Sequence, residues 1–407
     1  KEFSGNDLET PADINLLVIE EPEAHTHPQM QCIFIKNIKS LLARGVSGSK
    51  PNSLQTVLTT HSAHIVSESE FEDIRYFKNL GGTVISKNLK DLEQEYESYP
   101  EYYKFLKQYL TLHRSELFFA DKAIFIEGDT ERILLPAIMK KLDQEDYENE
   151  LKGNVEASLP LLSQNISVIE VGAYSQVFEK FIDFIGIKSL VITDIDAVKN
   201  TAALDDEGEL RKNSKGELIM RPAACSVEEG ETTSNASLRF FYGNDNDLAS
   251  YVSLDISSRI LSKNPETKKW VQSEDGHLLF VYQGNESNEV DVEYHARSFE
   301  DSFFHLNREF FESMALDENN ELIKDAFLNL GQRRLKQFIL GSLDAWGLAK
   351  GVLKKPPLAM EILMKSESTT KTITDEVSKT DVEVRFDFVN WNTPNYIYEG
   401  LKWLKAD

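Results

Sequence analysis

Two stretches, Ala123-Ile-Phe-Ile-Glu-Gly-Asp-Thr-Glu131 and Ser189-Leu-Val-Ile-Thr-Asp-Ile-Asp196, decide how this chain folds. Each is a short apolar run that stops abruptly at carboxylates. A run of that length reads as a strand buried on both faces, as in a parallel sheet. Carboxylates just beyond it would stand at the carboxyl edge, where open α/β sheets bind ligands. Several acids gathered at such an edge point to hard divalent cations, which take oxygen donors.

Working outward, a helical pattern over 130–142 follows the first stretch. A strand over 166–171, a helix over 175–185 and the second stretch come next. This alternation predicts a doubly wound α/β unit. Upstream, strands over 15–20 and 54–60 enclose a helix over 28–42, which predicts a second β-α-β element. Residues 75–87 read as one or two strands around Gly81-Gly82. Residues 91–119 read as a helical connector, with Tyr96, Tyr102, Tyr103, Phe105 and Tyr109 supplying an apolar face. Downstream, 199–235 is rich in Asp, Glu, Gly, Asn and Ser, so an exposed or partly disordered insertion is expected. Residues 269–283 suggest a hairpin about Asp275-Gly276. Helices are expected from 299 to 348 and over 358–364. A polar stretch over 365–380, a strand over 384–388 and a helix over 398–404 then follow.

The chain has 407 residues, enough for two or three domains, and a formal charge of −24 from 68 acids and 44 bases. A protein coated in positive charge is excluded. A polyanionic substrate is not, because a local groove or a bound metal reverses the field nearby. The two cysteines, Cys32 and Cys225, have no metal-type spacing and fit a reducing, cytoplasmic setting. No apolar run is long enough to span a membrane.

The segment Glu20-Glu-Pro-Glu-Ala-His-Thr-His-Pro28 ends the first upstream strand, and Thr60-His61-Ser62 ends the second. Together they resemble the Walker B, D-loop and switch regions of ABC-type ATPases. That resemblance gives Glu20 the Mg²⁺ of a bound ATP, Glu21 the attacking water, and His61 the sensing of the γ-phosphate. Read without it, the same residues are an acidic turn and a helix cap. The chain contains no Gly-x-x-x-x-Gly-Lys-Ser/Thr loop and no signature segment ahead of Leu16. The expectation is a chain that starts inside the ATPase domain and does not hydrolyse ATP alone.

The stretch at Glu127 resembles the first acidic motif of Toprim domains, and Asp194-x-Asp196 resembles their Asp-x-Asp motif. Glu131 lies one helical turn beyond Glu127, so both would face one cleft. Asp194 and Asp196, two apart on an extended strand, would share a face. Gly128 would permit a tight turn, and Thr130 or Asp129 would cap the helix. The combination resembles the OLD (overcoming lysogenization defect) family, in which an ABC ATPase precedes a Toprim nuclease. The resemblance of Tyr294-His-Ala-Arg-Ser-Phe-Glu300 to a later stretch of that family makes Glu300 a further metal ligand, which Asp301 would share. Lys354-Lys355-Pro-Pro-Leu-Ala resembles the segment that carries the family's catalytic lysine. It favours Lys355, with Lys354 and Lys350 as alternatives and a solvated side chain as the plain reading.

The resemblance implies the C-terminal part of an ABC-type ATPase over 1–90, a connector over 91–119, and a Toprim domain over 120–407 with a helical and hairpin insertion around 199–290. It implies a two-metal DNA endonuclease using Mg²⁺ or Mn²⁺ at Glu127, Glu131, Asp194, Asp196 and Glu300, and regulated by ATP. It further implies a homodimer or higher oligomer and a role in anti-phage defence, as in Gabija-type and retron-linked systems, with a helicase-like protein or retron RNA/DNA as partner. The alternative is an ATP-dependent DNA-binding or sensing scaffold whose Toprim domain is inactive.

Overall fold

The computed structural model describes residues 14–24, 26–44, 53–205, 208–243, 247–288, 292–319, 321–323 and 326–406. The chain divides into two compact units, Lys1–Ala120 and Asp121–Asp407.

In the first unit, β1 (Ile14–Glu20) and β2 (Ser53–Thr59) pair in parallel, Glu20 opposite Thr59, and the helix Pro28–Arg44 connects them. Strands β3 (Arg75–Leu80) and β4 (Thr83–Asn88) form an antiparallel hairpin. Both turn glycines there, Gly81 and Gly82, have positive φ, which an L side chain disfavours. The connector is not one long helix. A single turn, Leu92–Glu95, precedes the helix Pro100–His113, because Pro100 starts a helix readily but cannot continue one. Its apolar face is Tyr96, Leu106 and Leu110, whereas Phe105 stacks on Tyr109 and stays exposed.

The second unit is built on six strands. Strand β5 (Lys122–Ile126) lies between β6 (Ile166–Glu170) and β7 (Lys188–Ile192), all parallel. The central strand is covered on both faces, and its alternation shows it. Ile124 and Ile126 join the main core with Leu134, Leu135 and Ile138 of the helix Asp129–Leu151. Phe125 points the other way, its ring 5.9 Å from that of Phe178.

Beyond β7 the structure departs from expectation. Residues 199–235 contain much of a small sheet of β8 (Ala197–Ala202), β9 (Met220–Ala224) and β10 (Thr232–Thr233), in the order β10-β8-β9. Polar composition marked exposure there, and β9 is indeed largely exposed, but pairing with β8 orders it. The expected hairpin about Asp275-Gly276 does not form. Strands β12 (Trp270–Gln272) and β13 (Leu278–Val281) instead flank β11 (Ile260–Lys263), giving the main sheet the order β12-β11-β13-β7-β5-β6. Gly276 belongs there because a Cβ would lie 2.4 Å from the Leu261 carbonyl oxygen. Strand β13 is apolar throughout and pairs in parallel with β7, so it is core rather than hairpin edge.

A short hairpin, β14 (Asn285–Ser287) and β15 (Glu293–His295), leads to the helices Phe299–Leu306, Arg308–Ala315, Gln332–Ile339, Ala345–Ala349 and Lys355–Met364. The polar stretch over 365–380 holds β16 (Ser368–Thr374), which pairs antiparallel with β17 (Asp381–Asp387). The final helix Asn395–Lys405 lies close on the sheet: a Cβ at Gly400 would come within 2.9 Å of Val281 and 3.0 Å of Leu190.

Candidate metal centre

Strands β13, β7 and β5 are adjacent and parallel, so their carboxyl ends open on one edge. Gln283, Asp194 and Glu127 follow those three ends. The helix Asp129–Leu151 adds Thr130 and Glu131 from its first turn, and the helix Phe299–Leu306 adds Glu300. The helix Lys355–Met364 begins with Lys355 and accepts Pro356 and Pro357 because first-turn N–H groups need no helical partner.

Glu127 Oε1 collects three donors: the Thr193 hydroxyl, the Asp194 N–H at 3.2 Å and Asn235 Nδ2 at 3.0 Å. Asp194 Oδ1 accepts from Gln283 Nε2 at 2.7 Å and from the Phe299 N–H at 2.9 Å. Glu300 Oε1 accepts from the Thr130 hydroxyl at 2.7 Å, and its Oε2 lies 3.0 Å from Lys355 Nζ. Asp196 Oδ1 is 2.7 Å from an Arg297 guanidinium nitrogen. The protein thus anchors one oxygen of Glu127 and of Asp194 with neutral donors.

Electrostatics bind the set together. Burial raises Glu131 to about 8, and nearby Glu300 and Glu127 push in the same direction. Asp194 is held well above the usual carboxylate range by burial, with Glu127, Glu131, Asp196 and Glu300 adding to the effect. Burial also raises Glu127, against the hydrogen bond from Thr193. Lys355 is raised despite partial desolvation at its exposed position, because Glu300, Asp194 and Glu131 stabilise its charge.

Five carboxylates against one ammonium and one guanidinium leave this pocket short of positive charge. That donor set is all oxygen and mostly buried, which fits a hard ion such as Mg²⁺ or Mn²⁺. As the side chains stand, no three Asp, Glu, His or Cys groups among the described residues converge on one ion. Clasping one would need the free oxygens to turn inward.

Several sequence expectations are corrected by this geometry. Strand β7 ends at Ile192 and Asp196 has φ +48, so Asp194 and Asp196 lie in the irregular link to β8, not on one strand face. Gly128 is extended at φ −155, a conformation open to any residue. Asp129 pairs with Arg132, and Thr130 bonds Glu300, so neither caps the helix. Asp301 stands apart from the other acids. Its carboxylate accepts from the Tyr294 hydroxyl at 2.9 Å and from the Arg297 N–H at 2.7 Å, which fixes the approach to the helix. Burial raises it to about 7. Of the three candidate lysines only Lys355 reaches an acid of the set, while Lys350 lies over the Trp346 ring.

Asn235 and Gln283 went unread in the sequence. Asn235 caps the helix Ala236–Tyr242 through its oxygen while its amide nitrogen serves Glu127, Thr193 and the Asp194 carbonyl. The available signal was Asn235-Ala-Ser, an N-cap pattern. Gln283 also takes the Ile195 N–H at 2.8 Å and donates to Tyr396 Oη at 3.1 Å.

The first unit carries its own acidic turn. Glu21 has φ +40, and its side chain lies 3.4 Å from His61 Nε2, both largely exposed. Glu20 is exposed at the end of β1. Glu23, which sequence reasoning gave no role, accepts from the Thr60 hydroxyl at 2.8 Å and the His61 N–H at 2.6 Å.

Residues 2–66 match the AAA ATPase domain, and residues 118–196 match the Overcoming lysogenization defect protein-like TOPRIM domain. The chain therefore has an ATPase-type domain followed by a TOPRIM domain in a mixed α/β fold. It is similar to Endonuclease GajA of Bacillus cereus, 27% identical across 96% of this chain and 48% of that protein. It is also similar to the Old nuclease of Escherichia phage P2, 24% identical across 59% of this chain and 37% of that protein. The chain thus spans about half or less of the length of these relatives. The domain order and both relatives bear out the resemblance to the OLD family. No described helix is long and apolar enough to cross a membrane.

Proposed function

We propose that this chain is the nuclease-bearing part of a metal-dependent DNA endonuclease whose ATPase-type domain regulates it. The observation that carries this reading is the meeting of Glu127, Glu131, Asp194, Asp196 and Glu300 with Lys355 at one sheet edge. Phosphodiester hydrolysis adds negative charge to a polyanion, so catalysis needs concentrated positive charge. When bound there, Mg²⁺ or Mn²⁺ would lower the pKa of a water and offset charge on the phosphate.

The residues have separable tasks. Glu127 and Asp194 offer free oxygens to the ion, held in orientation by Asn235, Thr193 and Gln283. Glu131 and Glu300 complete the anionic pocket. Asp196 sits at its rim on Arg297, and Lys355 places an ammonium where phosphate charge would develop. Glu20, Glu21 and His61 are assigned to ATP in the first unit. The names of the relatives support nuclease chemistry. From that support the reading extends, for this chain, to DNA as substrate, a homodimer, a cytoplasmic setting and an anti-phage role with a helicase-like protein or retron RNA/DNA as partner.

The test is a plasmid assay that varies Mg²⁺, Mn²⁺ and ATP, with Glu127→Ala as control. Nicked or linear product that depends on metal and on Glu127 is expected. Equal cleavage by the variant would refute the assignment. A second reading, a DNA-binding scaffold with a silent TOPRIM domain, draws on the Lys355–Glu300 pair, which already places a cation among the acids. DNA binding in EDTA without cleavage in either metal would select it.

A further inference from the structure

Positive charge is scarce in this chain and unevenly spent. Between 331 and 355 lie six bases, Arg333, Arg334, Lys336, Lys350, Lys354 and Lys355, against a single acid, Asp344. All six are exposed. Lys355 reaches Glu300, but among the described residues none of the other five has a carboxylate within 4 Å, whereas many bases elsewhere are ion-paired. Bases held close together without acids between them repel one another, and the fold offsets this only through contacts to a carbonyl and an aromatic ring.

The group is continuous and adjoins the acids. Arg334 donates to the Gly347 carbonyl at 3.1 Å, which joins the helix Gln332–Ile339 to the helix Ala345–Ala349. Arg333 and Lys336 are one turn apart on the first of these and share its outer face, while Leu335 and Phe338 are buried. Lys350 and Arg297 both lie over the Trp346 ring, each 5.1 Å from its centroid. Arg297 in turn holds Asp196, and Lys355 holds Glu300. The helix Ala345–Ala349 packs against the helix that bears Glu300. The charge therefore runs from the rim of the acidic pocket outward over the helices between 332 and 355.

We propose that this ridge is the docking surface for the phosphate backbone of duplex DNA, with Arg333, Lys336, Lys350 and Lys354 as its phosphate contacts. This rests on the nuclease reading and adds where the substrate lies. In a molecule of charge −24, DNA is repelled at long range, so a compact set of free bases beside the cutting site determines how it approaches. Such contacts carry no sequence preference. Each one releases condensed counterions and makes log K fall with log salt by roughly one unit of slope per base.

The test measures binding of a fluorescent DNA duplex in EDTA across a salt series, with cleavage in Mn²⁺ measured alongside. The full chain is compared with Arg333→Ala/Lys336→Ala/Lys354→Ala and with a control, Lys152→Ala/Lys199→Ala/Lys379→Ala, in which the bases removed are already paired with acids. The ridge variant is expected to melt like the parent, bind at least about tenfold more weakly and lose about three units of salt slope. The control is expected to keep both. An unchanged slope in the ridge variant, with cleavage intact, overturns the ridge and leaves the nuclease reading standing. A lost slope in a parent that never cleaves keeps the ridge and overturns the nuclease. A parent that binds no duplex at any salt overturns the proposal outright.

Discussion

Acids follow strand ends in both units of this molecule, placed by the same sequence pattern, yet their surroundings differ. In the first unit Glu21 and His61 lie 3.4 Å apart with 51% and 82% of their side chains exposed. In the second, Glu131, Asp194 and Glu300 are 7%, 7% and 4% exposed. Water screens the first pair, so its charge costs the fold little. The second set is covered by helices from three parts of the chain, and burial turns mutual repulsion into raised proton affinity. Coverage by later segments, not the acidic motif, separates a solvated turn from a charged pocket.

The comparison breaks most sharply at Glu127 and Asp194. Glu127→Ala or Asp194→Asn should lower metal-dependent DNA cleavage by about 10³-fold or more, read as initial nicking rate. Retention of more than a tenth of parental activity would put the two clusters on the same footing. Removal of the neutral anchors, by Gln283→Leu or Asn235→Ala, should cost roughly 10–100-fold and raise the Mn²⁺ needed for half-maximal rate. A loss of rate with no change in that metal requirement would show that these side chains only support packing.

Acidity sharpens the contrast next. Glu131 takes up a proton in the fold that it would not hold when unfolded between its ordinary value of 4.5 and about 8. Its contribution to stability is therefore fully present below about 4.5 and disappears as pH rises to 8. In EDTA the melting temperature should fall across that window, and Mg²⁺ should flatten the fall by supplying the missing charge. A flat profile in EDTA would remove the burial argument. The smallest effect belongs to the exposed pair. His61→Ala should leave the melting temperature within about 2 °C of the parent. A larger drop would mean that the turn is structural.

Much of this was legible because charge and periodicity are local properties. Apolar runs ending at Glu127 and near Asp194 announced a parallel sheet edge, and the structure brings Glu131, Glu300 and Lys355 to it. What escaped depended on distant pairing. Strand β13 read as one arm of a hairpin because Asp275-Gly276 is a turn signal, yet its residues are all apolar and β7 claims it. That pairing is what carries Gln283 to Asp194. Asn235 sat in a stretch whose composition suggested disorder, and only β10 beside β8 returns it to Glu127. Neutral amides leave no charge pattern to read. Asp301 shows the opposite error: an acid next to the proposed ligand Glu300 in sequence faces another way on the helix, toward Tyr294.

Trp346, with Arg297 and Lys350 both at 5.1 Å, is also an optical probe in place. A cation near an indole shifts and quenches its emission. Arg297 is tethered to Asp196 and Lys350 belongs to the basic ridge, so this ring is in contact with both the acidic rim and the proposed DNA path. A metal that draws Asp196 away and a duplex that engages Lys350 should each alter the emission of Trp346, read without a label once Trp270, Trp391 and Trp403, which also lie near lysines, are replaced by Phe.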